Sequence, residues 1–169
     1  MQFGMVGVGA NAPNTVNVIV EIPKGSTNKY EIEHDTGLVR LDRVLYSPLF
    51  YPCDYGFIPE TLYSDGDPLD ALVLLTHPTF PGCIVDAKPI GVLGMRDEKG
   101  RDDKIICVAT RDPRFSDMED LDDLSEHVRR EIVHFFEVYK QLEEKSVEIL
   151  GWDTKGEARR LIEEFRVAK

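Results

Sequence analysis

The hydrophobic period of the chain changes near residue 124, and this change limits the folds open to it. Before that point apolar residues alternate over short stretches. Residues 16–22 (VNVIVEI) place Val16, Val18 and Val20 on one face, as in a half-buried strand. After it, apolar positions recur every three or four residues, as on one face of a helix. Strands come first and helices after, which predicts an α+β fold.

Six further strands are predicted from short apolar or alternating stretches. They lie at 29–33, 38–46, 54–58, 71–75, 83–96 and 103–109. Proline and glycine are scattered between them and mark the turns. Many short strands with frequent turns are typical of a small barrel or sandwich.

Two helices are predicted in the last third of the chain. Asp123, with Glu126 three residues on, is the candidate capping box of the first, and Thr154 with Glu157 begins the second. The apolar positions are Leu124, Val128, Ile132, Phe135, Phe136, Tyr139 and Leu142 in the first helix, and Ala158, Leu161, Ile162 and Phe165 in the second. We therefore expect two C-terminal helices packed against a closed or nearly closed sheet.

The chain of 169 residues is predicted to form a single domain, 1–169. We find no internal repeat, low-complexity tract or linker that would divide it. The stretch 1–15, MQFGMVGVGANAPNT, lacks the basic start and apolar core of a signal peptide and is predicted to be a loose N-terminal arm. No apolar run approaches the roughly 20 residues that span a bilayer, so we expect no membrane partner.

Charge and cysteine content limit the partners of the chain. The net charge of −11 argues against a nucleic-acid partner, and it would repel any anionic substrate that came without cations. The chain has three cysteines, an odd number, and they are widely spaced: Cys53, Cys83 and Cys107. They predict free thiols and a cytoplasmic location rather than a disulfide framework or a zinc site.

The densest chemical feature is the acidic stretch 64–70, SDGDPLD. Asp65, Asp67 and Asp70 lie close together in a segment that Gly66 and Pro68 force to turn. Carboxylates this close repel each other, and a bound cation usually relieves the repulsion. This is not an EF-hand loop, because Asp70 stands where that loop needs glycine and Thr76 where it needs glutamate. By itself the motif favours a solvated acidic turn over a cation site.

A second acidic stretch, 95–104 (MRDEKGRDDK), makes a cation site more plausible. Gly100 predicts a hairpin loop over 98–101, flanked by Asp97 and Asp102 on adjacent strands. Like charges facing each other on paired strands are destabilising. Lys104 would share the face of Asp102. The alternative is a hydrated hairpin tip, but two acidic clusters in one small domain favour a site for several hard cations.

Groups suited to an anionic substrate occur elsewhere in the chain. Lys29 and Glu31 share a strand face, and Glu21 lies on the strand before. Arg43 is well shaped to bind phosphate, although the aromatic residues after it are more typical of a core than of a site. Lys140 could be a surface lysine. No GxSxG or GxxxxGK[ST] motif is present, so acids and scattered cations favour metal-assisted phosphoryl transfer to water.

Five ordered segments resemble the soluble family I inorganic pyrophosphatases of the prokaryotic type. They are VEIPKGSTNKYEIE, LDRVLYSPLFYPCDYGFIPET, DGDPLDALVL, PGCIVDAKPIGVLGMRDEKGRDDKIICV and HFFEVYKQLE. The resemblance implies an OB-type five-stranded barrel flanked by helices and, in bacterial members, a homohexamer. It also implies hydrolysis of pyrophosphate, bound as its magnesium complex, with several Mg²⁺ ions per site.

The resemblance assigns roles to individual residues. Asp67 is expected to be the base that deprotonates the attacking water. The expected magnesium ligands are Asp65, Asp70, Asp97, Asp102, Glu21 and Glu31. The expected substrate-binding residues are Lys29, Arg43, Tyr55, Tyr139 and Lys140, and Lys104 is placed with them beside Asp102. Tyr51 is expected to support them.

Two other functions remain open from the sequence. One is a non-catalytic OB-fold module that binds single-stranded nucleic acid, which would need a basic groove interleaved with aromatic residues. The other is a calcium-binding structural domain, which would bind the ion and release no phosphate. The acidity of the chain, with Asp54 beside the aromatic residues near 50–57, argues against the first, and both rank below the enzyme.

Overall fold

The computed structural model of the chain describes residues 6–167. The strands are β1 (Val16–Ile22), β2 (Asn28–Ile32), β3 (Val39–Val44), β4 (Asp54–Phe57), β5 (Asp70–Leu74), β6 (Ile84–Asp97), β7 (Gly100–Arg101), β8 (Lys104–Ala109) and β9 (Glu148–Thr154). The helices are α1 (Glu126–Val138) and α2 (Lys155–Glu164). Neither helix has the length and apolar content that crossing a membrane requires.

Five strands close into a barrel in the order β1, β4, β5, β8 and β6, and β6 pairs back with β1. The β5–β8 pair is parallel, and the other pairs of the ring are antiparallel. Gly56 permits the β1–β4 contact, because a Cβ atom there would lie 2.0 Å from the Ile19 carbonyl oxygen. The structure confirms the predicted α+β fold with an OB-type five-stranded barrel and two C-terminal helices.

The central strands are buried on both faces, which explains why their sequences are continuously apolar. In β8, Ile105 and Cys107 belong to the core cluster that contains α2. The alternate residues Ile106 and Val108 belong to the cluster that contains α1. Each helix therefore covers the opposite face of the same strands, and successive residues of β8 point toward different helices.

The β2–β3 hairpin forms a separate two-stranded sheet beside the barrel. Lys29 of β2 is the register partner of Arg43 of β3. The backbone N–H of Ile32 donates to Glu21 Oε1 at 2.8 Å, which joins the hairpin to the end of β1. The hairpin thus brings two predicted phosphate-binding cations next to a predicted metal ligand.

The N-terminal segment differs from the predicted loose arm in its described part, residues 6–15. Val8 is 1% exposed and lies in the core cluster that contains α2. Its N–H donates to Glu60 Oε2 at 3.0 Å, and its carbonyl accepts from the Asn17 N–H at 2.8 Å. An apolar side chain with a place in the core anchors this segment. Residues 1–5 of the predicted arm lie outside the described residues.

The predicted cap of the first helix was wrong, and that of the second is confirmed. Helix α1 is capped by Ser125, whose hydroxyl accepts from the Val128 N–H. Asp123 instead closes a capping box with Asp120 around a short 3₁₀ turn. Helix α2 is capped by Thr154, whose hydroxyl accepts from the Glu157 N–H as predicted. Strand β9, which pairs with β6, was not predicted.

Candidate active site

A cavity of about 440 Å³ opens where the β2–β3 hairpin, the acidic turn 64–70, the β6–β7 hairpin and the end of α1 meet. Every catalytic, metal-binding and substrate-binding residue predicted from the sequence lines it. These residues are Asp65, Asp67 and Asp70; Asp97, Asp102 and Lys104; Glu21, Lys29, Glu31 and Arg43; and Tyr55, Tyr139 and Lys140. Segments widely separated in sequence therefore place their charged side chains in one space.

Backbone hydrogen bonds hold the acidic turn in shape. The Tyr63 N–H donates to the Asp67 carbonyl at 2.7 Å, and the Gly66 N–H donates back to the Tyr63 carbonyl at 3.0 Å. Gly66 has a φ of 91°, in the left-handed region that glycine tolerates. The Thr61 hydroxyl accepts from the Leu69 N–H at 2.9 Å. The turn is thus fixed at both ends, while its aspartates stay accessible to the cavity.

The second acidic segment forms a hairpin as predicted, but its loop is 98–99 rather than 98–101, and Asp102 lies after β7 rather than on a strand. Asp97 of β6 pairs with Gly100 of β7, and Asp97 Oδ1 accepts from the Lys99 N–H at 2.8 Å. The chain then bends so that the Asp102 N–H donates to the Met95 carbonyl at 3.0 Å. This bend returns Asp102 to the side of the cavity that Asp97 lines.

Lys104 joins the two acidic segments at the centre of the site. Its ammonium lies 2.6 Å from Asp70 Oδ2, 2.6 Å from Asp102 Oδ1 and 3.3 Å from the Tyr55 hydroxyl. The pairing is set by the fold, because Asp70 and Lys104 are register partners in the parallel strands β5 and β8. Burial alone would lower the pKa of Lys104, but the two carboxylates reverse this and raise it.

The site carries more negative charge than its lysines neutralise. Burial raises the pKa of Asp102, and the neighbouring charges of Asp70 and Asp97 raise it further against the opposing effect of Lys104. Burial likewise raises the pKa of Glu21 to about 7, with contributions from Asp70 and Glu31. Added cations would relieve this repulsion.

Glu21 should make the stability of the metal-free protein depend on pH. Its carboxyl has a folded-state pKa of about 7 against an ordinary value of 4.5, so its contribution is fully present below pH 4.5 and is lost as the pH rises through 7. We expect the free energy of unfolding of the parent to fall by about 3 kcal/mol over this range relative to Glu21→Gln. Urea unfolding in chelator at several pH values measures this, and parallel pH profiles would contradict it.

Two tyrosines, Tyr55 and Tyr139, line the cavity, and the Tyr55 hydroxyl accepts from the Lys104 ammonium at 3.3 Å. Burial, then the neighbouring Asp70, raises the pKa of Tyr55 well above its usual range. Burial, then Asp102, does the same for Tyr139. Both hydroxyls therefore stay protonated at neutral pH and can donate to phosphate oxygens. Tyr51 is 1% exposed and packs edge-on against Tyr55, as expected of a supporting residue.

The predicted phosphate-binding cations are each paired with an acid. Lys29 contacts Glu31, and its ammonium lies 3.4 Å from Asp42 Oδ2. The Lys140 ammonium lies 3.6 Å from Asp97 Oδ2. These pairs hold the cations at the cavity wall, and an incoming anion would compete with the carboxylates for them.

Several functional residues escaped prediction from the sequence. Glu143 accepts one hydrogen bond from Arg43, from Nη2 to Oε2 at 3.2 Å, and forms an ion pair with the same guanidinium, whose Nε lies 2.8 Å from Oε1. Asp42 accepts from the other side of the guanidinium. Further unpredicted residues lining the cavity are Tyr30, His34, Glu98, Lys99 and Lys145. The position of Asp42 beside Arg43 was the one local signal, whereas the Glu143 contact joins residues 100 apart in sequence.

The donor set of the cavity fits hard divalent cations. Carboxylate oxygens are the protein ligands that magnesium prefers, and six predicted ligands supply them. Within residues 6–167, no three candidate ligands already converge on one point with the side chains as they stand. A cationic group, the Lys104 ammonium, nevertheless bridges Asp70 and Asp102. The acids thus fit metal ions in chemistry and charge, and their side chains must turn to enclose one.

The chain is similar to known inorganic pyrophosphatases over nearly all its length. A family model described as inorganic pyrophosphatase matches residues 18–168. The inorganic pyrophosphatase of Methanosarcina mazei is 51% identical over 149 residues, which cover 88% of each chain. That of Streptomyces coelicolor is 55% identical over 87% of this chain and 91% of that protein.

Solved structures extend the similarity to three dimensions. The crystal structure of inorganic pyrophosphatase from Thermus thermophilus matches with a TM-score of 0.94 at 45% identity, over 98% of this chain and 97% of that one. The inorganic pyrophosphatase structure from Helicobacter pylori has a TM-score of 0.91 at 43% identity, over 95% and 96% of the two chains. The likeness therefore includes the barrel, both helices and the segments that line the cavity.

Proposed function

The chain belongs to the inorganic pyrophosphatase family, and on that basis we propose that it hydrolyses pyrophosphate to two phosphates with Mg²⁺ as cofactor. The observation that carries the proposal is the meeting of two acidic segments across Lys104, 2.6 Å from both Asp70 and Asp102. A cavity that contains both acids and phosphate-binding cations suits an anion bound together with metal ions better than it suits the anion alone or the metal ions alone.

The metal ligands in this proposal are the acids predicted from the sequence. They are Asp65, Asp70, Asp97 and Asp102, with Glu21 and Glu31 completing the set. Bound magnesium would offset the charge of the substrate and lower the pKa of a coordinated water toward neutrality. Because the pKa of Glu21 is raised to about 7 without metal, this acid should release a proton as cations bind.

Asp67 is the proposed general base. Two hydrogen bonds fix its backbone. The Asp67 carbonyl accepts from the Tyr63 N–H at 2.7 Å, and the Asp67 N–H donates to Asp65 Oδ1 at 3.0 Å. Asp67 is exposed and lines the cavity, and within residues 6–167 its carboxylate forms no ion pair. It is therefore positioned to accept the proton of an attacking water.

The substrate-binding side of the cavity is proposed to hold both phosphates. Lys29, Arg43 and Lys140 neutralise phosphate oxygens, and the protonated hydroxyls of Tyr55 and Tyr139 donate to them. Charge that develops on the leaving phosphate is stabilised by the same groups. Lys104, which was predicted to bind substrate, is instead proposed to stay among the acids, where it limits their repulsion and orients Asp70 and Asp102.

The proposal also includes a cytoplasmic location and assembly into a homo-oligomer, with six copies expected from the family resemblance. The cysteines Cys53, Cys83 and Cys107 are all free, which agrees with a reducing compartment. A groove of about 450 Å³ beside α1 is lined mainly by apolar side chains, including the 60%-exposed Phe50. An exposed apolar surface of this kind supports a protein contact.

Phosphate release tests the proposed function directly. The purified chain should release two phosphates per pyrophosphate in the presence of Mg²⁺, and chelator should abolish the release because the acids then repel the substrate. Calcium should inhibit when added with Mg²⁺. Binding of calcium with no phosphate release under any condition would favour the structural domain. A salt-dependent mobility shift with single-stranded DNA, again with no release, would favour the nucleic-acid module.

A further inference from the structure

A buried carboxylate outside the cavity connects the two acidic segments from behind. Asp103 is 3% exposed, although its neighbours Asp102 and Lys104 both line the cavity. Because side chains alternate along an extended chain, Asp103 points away from the cavity, toward the face that α2 covers. Its partner there, Tyr63, belongs to the core cluster that contains α2.

The Asp103 carboxylate accepts three hydrogen bonds. The Tyr63 hydroxyl donates to its Oδ2 at 2.8 Å, and Arg101 Nε donates to its Oδ1 at 2.7 Å. The Met95 N–H donates to the same Oδ1 at 3.3 Å. Donors thus reach it from the segment before the acidic turn, from β7 and from β6. The Asp103 carboxylate accepts from all three donors, and it does not line the cavity.

The partners of Asp103 are also the residues that shape both acidic segments. Tyr63 exchanges backbone hydrogen bonds with Gly66 and Asp67 and so begins the acidic turn. Met95 accepts from the Asp102 N–H at 3.0 Å and so sets the bend after the β6–β7 hairpin. A displacement at Asp103 would therefore move Asp67 and Asp102 relative to each other.

We propose that Asp103, with Tyr63, is a positioning residue for the metal site: its carboxylate sets the separation between the acidic turn 64–70 and Asp102. The inference rests on the proposed function, because it concerns the same metal ions. Groups that hold metal ligands from behind set their orientation, and their loss typically weakens metal affinity by about 10–100-fold. A carboxylate that served only the stability of the barrel would leave metal affinity unchanged.

The test is metal binding measured without turnover. Tyr63→Phe removes only the hydroxyl that reaches Asp103, and Asp103→Asn removes its charge. Binding of Mn²⁺ alone, a spectroscopic substitute for Mg²⁺, is followed by electron paramagnetic resonance on the full chain. We expect the dissociation constant to rise about tenfold in each folded variant. If Asp103→Asn does not fold, Tyr63→Phe decides the question.

Thr79→Val is the matched control. The Thr79 hydroxyl donates at 2.6 Å to Asp54, a carboxylate that is 0% exposed and does not line the cavity. This variant should lose stability in urea as Tyr63→Phe does, yet bind Mn²⁺ like the parent. Unchanged binding in Tyr63→Phe, or equal weakening in Thr79→Val, would overturn the inference. Parent protein that hydrolyses pyrophosphate alongside either result shows that the proposed function stands without it.

Discussion

Asp67→Asn is expected to lower turnover by about 10²–10⁴-fold while the affinity for Mg²⁺ changes little. Asparagine keeps the size of the side chain but cannot accept a proton near neutral pH. The backbone bonds that hold the turn, including the Tyr63 N–H to the Asp67 carbonyl at 2.7 Å, do not involve the side chain and should persist. The two quantities are measured by phosphate release at saturating Mg²⁺ and by Mn²⁺ binding.

The comparison variant for this prediction is Asp117→Asn, which makes the same chemical change at an exposed position that does not line the cavity. It should leave both turnover and metal affinity at parental values. Equal losses of turnover and metal affinity in Asp67→Asn would show that Asp67 is a metal ligand instead of a base. Full turnover would remove it from the reaction altogether.

Local sequence patterns were sufficient to predict the strands of the barrel and the two helices near the C-terminus. The strongest patterns were the alternation of 16–22 and the apolar runs of β5 and β8, whose burial on both faces leaves them little choice of structure. Strand β9 escaped prediction because its half-buried residues Ile149 and Trp152 are three apart, on either side of Gly151. The register shift between Gly94 and Met95 of β6 breaks the alternation there.

The acidic composition of the candidate site was readable from the sequence, but its connections were not. Two aspartate clusters were visible, and the family resemblance supplied the roles of the other predicted residues, but not Tyr30, His34, Glu98, Lys99 or Lys145. Nothing in RDDK distinguishes Asp102, which lines the cavity, from Asp103, which is buried behind it, until the register of β8 is known. Contacts such as Arg43 with Glu143 depend on how distant segments pack, which no local pattern encodes.

Lys104→Met is expected to lower the free energy of unfolding of the metal-free protein by about 3–5 kcal/mol. Methionine fills a similar volume but leaves Asp70 and Asp102, each now 2.6 Å from the ammonium, without their shared countercharge. Lys104 is 2% exposed, so water cannot take its place easily. Urea unfolding in chelator at neutral pH measures the loss. Activity should fall as well, because the same acids are proposed to bind metal.

Magnesium should restore part of the stability lost in Lys104→Met. Measuring unfolding with and without Mg²⁺ therefore distinguishes the charge of Lys104 from its packing as the cause of the loss. A divalent ion held by Asp70 and Asp102 supplies the positive charge that methionine lacks, so the difference between variant and parent should narrow with Mg²⁺. It should also narrow at low pH, where protonation of the carboxyls removes the repulsion. Lys155→Met, which removes a surface pair with Glu119 at 3.5 Å, should change stability far less and show neither response. A loss in Lys104→Met that is independent of both Mg²⁺ and pH would mean that packing, not charge, is what Lys104 contributes.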